Sequence, residues 1–302
     1  MAVITTGNHP AALWPGVHGW FGRAYDEHEP QYTDLFDIET SDKNYEEEIE
    51  STGFGLAAVK AQGGSINYDT DSQGYTKRYT HVVYGIGYIV TEEELEDNLY
   101  EDVSKRRSGD LAFAMRQTKE NVAANIYNRA FNSSYVHGDG VEMCSTAHST
   151  INGNQSNELT NAADISEAAI EDMVTQIGDA VNARGMKIRL MPKTLHVPTA
   201  SWFEANRILK SVLQNDTAQN AINVLKSTNA IPGGIKVNQY FTSTSVWFIR
   251  TNARRGLRLF QRRPVKFEKD SDFDTSNAKA KSTERYSVGI SDWRAVYGTP
   301  GV

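Results

Sequence analysis

Thr91-Glu92-Glu93-Glu94-Leu95-Glu96-Asp97-Asn98-Leu99-Tyr100 opens the stretch that decides the fold of this chain. Thr91 is a good helix N-cap, and Glu94 three residues on completes a capping box. Glu92, Glu93 and Glu94 favour the positive end of the helix dipole. Apolar residues then recur at helical spacing through Leu95, Leu99, Val103, Leu111, Met115, Val122, Ile126 and Ala130. The pattern predicts one helix over 91–131, with a possible kink at Ser108-Gly109. About 41 residues at 1.5 Å each give a rod of roughly 60 Å, far longer than the usual helix. A compact domain has no need of such a rod, whereas a molecule that tiles a surface does.

Upstream of the helix, the chain reads as strand. Ile66-Asn67-Tyr68 and Tyr75 to Tyr84 alternate polar and apolar residues around the polar tip Asp69-Thr70-Asp71-Ser72-Gln73-Gly74. This predicts a long β-hairpin within 54–90 that projects from the body. Residues 1–25, rich in Gly, Pro, Trp and His, read as an irregular arm. Residues 26–50 hold eleven acids against one base, Lys43. Tyr32, Leu35, Phe36, Ile38 and Tyr45 lie among them, so the stretch reads as an extended arm that docks on something.

Downstream, 132–163 is loop-like and Asp164 to Arg184 is an amphipathic helix closed by Gly185. Lys187 to Val197 reads as a strand, and Thr199–Leu213 and Thr217–Lys226 as helices. Ile235–Tyr240, Val246–Thr251, Val265–Lys269 and Glu284–Ile290 read as strands. The class is α+β, with no internal repeat.

Composition narrows the function. With 302 residues, 39% apolar and 23% charged, the chain is an ordinary folded protein of one large or two modest domains. Its longest apolar run, Val82 to Val90, is too short for a membrane helix. The opening MAVITTGNHP shows no secretory pattern. Cys144 is the only cysteine, so no intrachain disulfide forms.

Catalytic motifs are weak. Asp69-x-Asp71-x-Gln73-Gly74 begins like a calcium loop but has Thr80 where the bidentate Glu belongs. His137, Asp139, Cys144 and His148 match no zinc spacing, and Cys144 lacks an identifiable oxyanion partner. The acids of Glu92–Asp102 read as solvated charge at a helix start. There is no nucleophile elbow, zincin helix or phosphate-binding loop. The reading is therefore no enzyme, no cofactor and no metal.

The strongest local signal is Arg250–Lys269, with eight bases (Arg250, Arg254, Arg255, Arg258, Arg262, Arg263, Lys266 and Lys269) against Glu268. Such a segment suits a protein interface rich in arginine, a nucleic-acid face, or plain solvation. Opposite charge predicts that the acidic arm docks on it, within a subunit or between subunits. The candidate intersubunit residues are Glu46, Glu47, Glu48, Lys77, Arg78, Arg254, Arg255, Arg258, Arg262 and Arg263.

The order of these features resembles the major capsid proteins of tailed bacteriophages. Ile89-Val90-Thr91-Glu92-Glu93-Glu94-Leu95 is similar to that family's start of the long helix. Asp139-Gly140 with Cys144-Ser145-Thr146-Ala147-His148 is similar to its following loop, and Met191 to Pro198 to the strand leading into its axial domain. Phe273-Asp274-Thr275 and Asp292-Trp293-Arg294-Ala295-Val296-Tyr297-Gly298 resemble the C-terminal signature of Mu-like major head subunits.

The resemblance implies a Hong-Kong-97-type capsid fold. Residues 1–53 would be the N-terminal arm and 54–90 the extended loop. Residues 91–185 and 262–302 would be the peripheral domain with its spine helix, and 186–261 the axial domain. It further implies self-assembly into hexamers and pentamers of an icosahedral virion shell around double-stranded DNA. Expected partners are further copies of the chain, a separate scaffold protein, decoration and portal proteins, and the packaged DNA, with no membrane. Assembly is expected in the host cytoplasm. Lys60 or Lys77 would be the lysine of a loop cross-link, but no matched asparagine or acid catalyst accompanies them. The alternative is a nucleic-acid-binding protein that uses 250–269.

Overall fold

The long helix is the frame of the molecule. The computed structural model describes residues 15–91, 93, 100–214, 221–272 and 277–302. Within these residues the spine helix, α3, runs Tyr100–Asn128, 29 residues or roughly 43 Å. It passes through Ser108-Gly109 without a break. The capping-box residue Glu94, with Glu92 and Leu95–Leu99, lies outside the described residues, as does Phe273-Asp274-Thr275. The buried face of α3 is Ser108, Ala112, Met115, Lys119, Ala123 and Tyr127, one residue every three or four.

Of the irregular arm expected at 1–25, residues 1–14 lie outside the described residues and the remainder is instead a helix, α1 (Pro15–Glu27), packed along α3. Gly16, Gly19 and Gly22 hide its period from propensity reasoning. Phe21 stacks on Phe267 at 5.0 Å, and Phe21 and Tyr25 join Leu111, Ala112 and Met115 in one core. A short helix α2 (Tyr32–Leu35) follows. Three consecutive polar features of α3 hold this segment. Arg116 donates to the Tyr25 carbonyl at 2.9 Å and lies over the Tyr25 ring. Glu120 accepts from the backbone N–H groups of Gln31 and Tyr32, both at 2.9 Å. Lys119 donates at 2.6 Å to both Gln261 and Glu284 beneath the Tyr32 ring.

Two four-stranded sheets make the body. The first has the order β1 (Asp37–Thr40), β10 (Leu257–Ser271), β11 (Ala278–Ile290), β4 (Val82–Val90). β1 runs parallel to β10; the other pairs are antiparallel. β10 and β11 are much longer than the strands expected at 265–269 and 284–290. The second sheet has the order β12 (Val296–Thr299), β9 (Trp247–Thr251), β7 (Pro192–Pro198), β8 (Ile235–Asn238). It packs under α4 (Glu167–Gly178) and α5 (Trp202–Lys210), around Ile170, Met173, Ile177, Leu195, Val197 and Trp247. α4 is capped by Ser166, whose side chain accepts from the Ala169 N–H, and ends at Gly178, well before Gly185. Of the helix expected at 217–226, a single turn, α6 (Val224–Ser227), is present; 215–220 lie outside the described residues.

The projecting hairpin also differs. Its strands are β2 (Tyr45–Ser51) and β3 (Gln73–Thr80), paired as a separate ribbon. β4 has left the ribbon for the edge of the first sheet. His81 sits at this change of sheet, buried between Ser41 and Ser287. A small hairpin, β5 (His148–Thr150) with β6 (Gly153–Gln155), completes the elements.

The buried Lys119–Glu284 pair generates a test. Removing one partner of such a pair costs about 3–5 kcal/mol, because the other charge is left uncompensated. Lys119→Met is expected to lower unfolding free energy by about that amount, and adding Glu284→Gln to recover part of it. Denaturant titration of both variants checks this; a loss below about 1 kcal/mol for the single variant would show that the pair is not a keystone of the fold.

Candidate functional site

Strand parity organises the acidic arm. In β1 Asp37 and Glu39 are turned toward the body and Ile38 outward. In β2 Glu46, Glu48 and Glu50 face the body while Tyr45, Glu47 and Ile49 face out. The usual arrangement of a half-buried strand is thus inverted, with acids in and apolar side chains out.

The inward acids meet arginines of the same chain. Arg250 donates to Asp37 at 2.6 Å and to the Asp34 carbonyl at 3.0 Å. Arg258, 4% exposed, bonds Glu48 directly and lies 3.5 Å from Glu39. Arg262 stands 3.5 Å from Asp42, and Lys236 is 2.9 Å from Asp34. Arg294, also buried, lies 3.4 Å from both Glu50 and Asp292 and donates to Gln155 and the Val181 carbonyl. Burial lifts the Glu50 carboxyl above its ordinary value, with Arg294 opposing that shift. The expected docking of the acidic arm on the basic segment is therefore present within one subunit.

The other candidates are dispersed. Glu46 pairs with Lys43 at 2.9 Å and accepts from Ser41, and both bonds hold its carboxyl low. Glu47 stands 3.8 Å from Arg78, which covers the Tyr45 ring. Lys77 is half-buried near Asp139, and burial lowers its pKa. Arg263 donates to Thr283 at 3.1 Å on the exposed sheet surface. Arg254 and Arg255 occupy the exposed β9–β10 turn, where Arg255 takes a left-handed backbone (φ 61°). Arg250, Asp37, Glu39 and Glu50 belong to the two charged blocks but are not among the candidate interface residues, and Arg294 lies outside both blocks. Acids at alternate positions 37/39 and 46/48/50 carried the signal.

The ribbon's root is fastened to the body. Asp69 accepts from Arg184 at 3.1 Å and from the Gly55 N–H at 2.7 Å. Tyr75 donates to the Ser291 carbonyl, and Tyr79 bonds the Ser291 hydroxyl. Gly138 is needed beneath Tyr75, since an added Cβ would lie 2.6 Å from its ring. Beyond this root, residues 54–68 are exposed throughout, including Leu56 (87%), Val59 (100%) and Tyr68 (95%).

The loop that carries His137, Asp139, Cys144 and His148 packs against the body. His148 has Asp139 at 2.5 Å on Nδ1 and Asn157 at 2.9 Å on Nε2, and it stacks on Trp293 at 4.3 Å. Asn157 in turn donates to the Met143, Trp293 and Val296 carbonyls. Cys144 is fully buried, and burial raises its thiol pKa, opposite to what a nucleophile needs. Among the described residues, no group of three His, Cys, Asp or Glu is placed to hold a metal.

A sheet-and-spine body, an anchored ribbon and an exposed apolar tip describe a subunit built to contact others. A family profile described as phage capsid protein matches residues 74–299. The chain belongs to this family. It is a phage capsid protein, and its α+β architecture is the Hong-Kong-97-type fold. Among solved structures it is similar to the protein of "Mycobacterium phage Patience", at 11% identity, TM-score 0.54, with 99% of this chain and 90% of that chain covered. It is similar to the "virus-like particle from Pyrococcus furiosus", at 11% identity, TM-score 0.52, with 95% and 99% covered. It also resembles the "Procapsid of bacteriophage JBD30", at 12% identity, TM-score 0.52, with 98% and 76% covered. No curated protein matches.

Two tests follow from this geometry. Arg258→Glu places a third carboxylate beside Glu39 and Glu48 in a buried site, and is expected to destabilise the isolated subunit by several kcal/mol, roughly 3–5. Arg254→Glu with Arg255→Glu, on an exposed turn, is expected to change it by less than about 0.5 kcal/mol. Denaturant titration compares them; equal losses would remove Arg258 from its keystone role. Burial also lowers the pKa of His137 to about 4 and of His196 to about 3. Their unfolded counterparts protonate near 6.5, so the unfolded state binds more protons below that pH. Stability from these groups is fully present above pH 6.5 and is lost as pH falls toward 4, at up to about 1.4 kcal/mol per pH unit for each. His137→Gln with His196→Gln should flatten that slope in a pH series of unfolding curves.

Proposed function

We propose that this subunit assembles without catalysis into hexamers and pentamers, with residues 54–68 overlapping a neighbouring copy and the shell enclosing double-stranded DNA. The carrying observation is the exposed tip. Phe54, Leu56, Val59, Ile66 and Tyr68 stand in solvent on one short segment whose root is pinned by Asp69 and Arg184. A chain alone gains nothing from such exposure, and an apolar patch of this kind marks an interaction surface. Many modest contacts repeated around a closed symmetric shell then supply assembly strength.

In this reading residues 1–53 act as the arm and 54–90 as the loop region. Residues 91–185 and 262–302 form the peripheral domain around α3, and 186–261 the axial domain. The interface candidates that remain exposed, Glu47, Arg78, Arg254, Arg255 and Arg263, are the ones positioned to serve between subunits. Scaffold, decoration and portal proteins are proposed partners, packaged DNA is proposed on the inner face, and assembly is proposed in the host cytoplasm. The nucleic-acid-binding alternative is disfavoured because Arg250, Arg258 and Arg262 are directed at acids of the arm.

Replacing residues 55–68 with a short Gly/Ser turn tests the proposal. The variant is expected to keep its circular dichroism and unfolding transition while shells disappear from negative-stain images. Shells of normal yield from this variant would overturn the role of the tip.

A further inference from the structure

β4 is an unusual edge strand. Val82-Val83-Tyr84-Gly85-Ile86-Gly87-Tyr88-Ile89-Val90 forms one border of the first sheet, with β11 its only strand neighbour among the described residues. Edge strands in monomeric proteins are usually blunted by charge, proline, bulges or shortness. β4 has nine residues, no charge, no proline and no register shift against β11. Val82, Val83, Ile86 and Ile89 are all exposed.

The two faces of β4 differ in size. Val83, Gly85, Gly87 and Ile89 lie on one face, and Tyr84, Ile86 and Tyr88 on the other. Gly85 and Gly87 are enforced by the sheet, because an added Cβ would lie 3.0 Å from Thr283 Cγ2 and 2.6 Å from the Ala280 carbonyl, respectively. The glycine face is consequently bare, and at Gly87 and Ile89 it borders a trough of about 710 Å³ beside Lys279 and Lys281.

The same chain carries a segment of matching form. Phe54-Gly55-Leu56-Ala57-Ala58-Val59-Lys60 lies outside every helix and strand of the described residues and is exposed. Over 54–57 its alternation is lopsided in the complementary sense, with Phe54 and Leu56 at one parity and Gly55 and Ala57 at the other; after them small Ala58 falls at the parity of Phe54 and Leu56, where Val83 and Ile89 are large, and Val59 at the other. Laid beside β4, the large face would cover the glycine trough, and the small face would sit beside Tyr84, Ile86 and Tyr88. Side-chain pairs of large with small residues are how neighbouring strands fit.

We propose that residues 54–60 of a second copy of this chain add as a fifth strand to the β4 edge, with Phe54 and Leu56 over Gly85 and Gly87. This rests on the shell reading above and deepens it by naming the acceptor and the mode, strand addition. Backbone pairing supplies the contact and the large/small alternation sets the register parity.

Cysteine pairs test it in full-length particles, since the single native cysteine, Cys144, is buried. A disulfide needs Cα atoms about 4.4–6.8 Å apart, the spacing of paired strands. With Phe54 and Leu56 over Gly85 and Gly87, residue 58 falls opposite Ile89 if the strands run parallel and opposite Val83 if they run antiparallel, so Ala58→Cys is combined with Val83→Cys or Ile89→Cys on the same face, and with Ile86→Cys as the opposite-parity control. After mild oxidation of assembled particles, at least one same-face pair is expected to replace the monomer band by a ladder of covalent multimers, while the control stays monomeric. The inference is overturned by particles that form yet give no ladder with either same-face pair, a result that leaves the shell reading standing. It is overturned equally by a ladder of the same strength from the control, or by cross-links confined to single chains. Absence of any particle from the wild-type chain would instead overturn the shell reading, and the inference with it. Separately, Ile89→Lys is expected to abolish particles while leaving the soluble subunit's unfolding transition unchanged; undiminished particle yield would contradict strand addition at this edge.

Discussion

The structure depends on a seam of half-buried charge, where carboxylates of an N-terminal segment are turned inward onto arginines more than two hundred residues away. Arg258 and Arg294 are each almost wholly buried, and neither would be tolerable there without Glu39, Glu48, Glu50 and Asp292. Exposed pairs contribute little. These differ because the guanidinium is removed from water and its loss would strand the acids. The seam also dictates the inverted strands β1 and β2, since acids that face in force Ile38, Tyr45 and Ile49 to face out.

A second polar lock lies along the spine helix. Arg116, Lys119 and Glu120 hold the backbone of residues 25–32 and the side chains of β10 and β11. Replacing buried ions with apolar side chains is often neutral for stability, so their value is in directing which surfaces meet. Here they bring the N-terminal helix α1 and the first sheet together against one face of α3. The result is a rigid frame from which the ribbon extends.

Rigidity in the frame contrasts with the apolar surfaces left outside it. The tip at 54–68 is exposed, and the border strand β4, without charge or proline, has β11 as its only strand neighbour among the described residues. A subunit of a closed shell has a use for such surfaces. Separating buried charge for folding from exposed apolar segments for association allows the subunit to be stable before it assembles.

The sequence by itself determined the elements whose cause is local. The spine helix follows from its period, the attraction of the acidic and basic blocks from their charge alone, and the strands expected at 187–197, 235–240 and 246–251 are present in shorter or shifted form at 192–198, 235–238 and 247–251. The order of short phrases along the chain was enough for the capsid class. Tertiary structure decided what depends on a distant partner. Glycine-rich α1 is helical because Phe21 and Tyr25 find a core on α3 and β10. Val82–Val90 joins β11 rather than the ribbon because Tyr84 stacks on Tyr286 and two glycines let the strands close up. Which arginines are buried and which remain exposed was likewise invisible along the chain, since charge counts carry no parity. The pleat of β1 and β2 assigned one acid to Arg258 and left its neighbour in water.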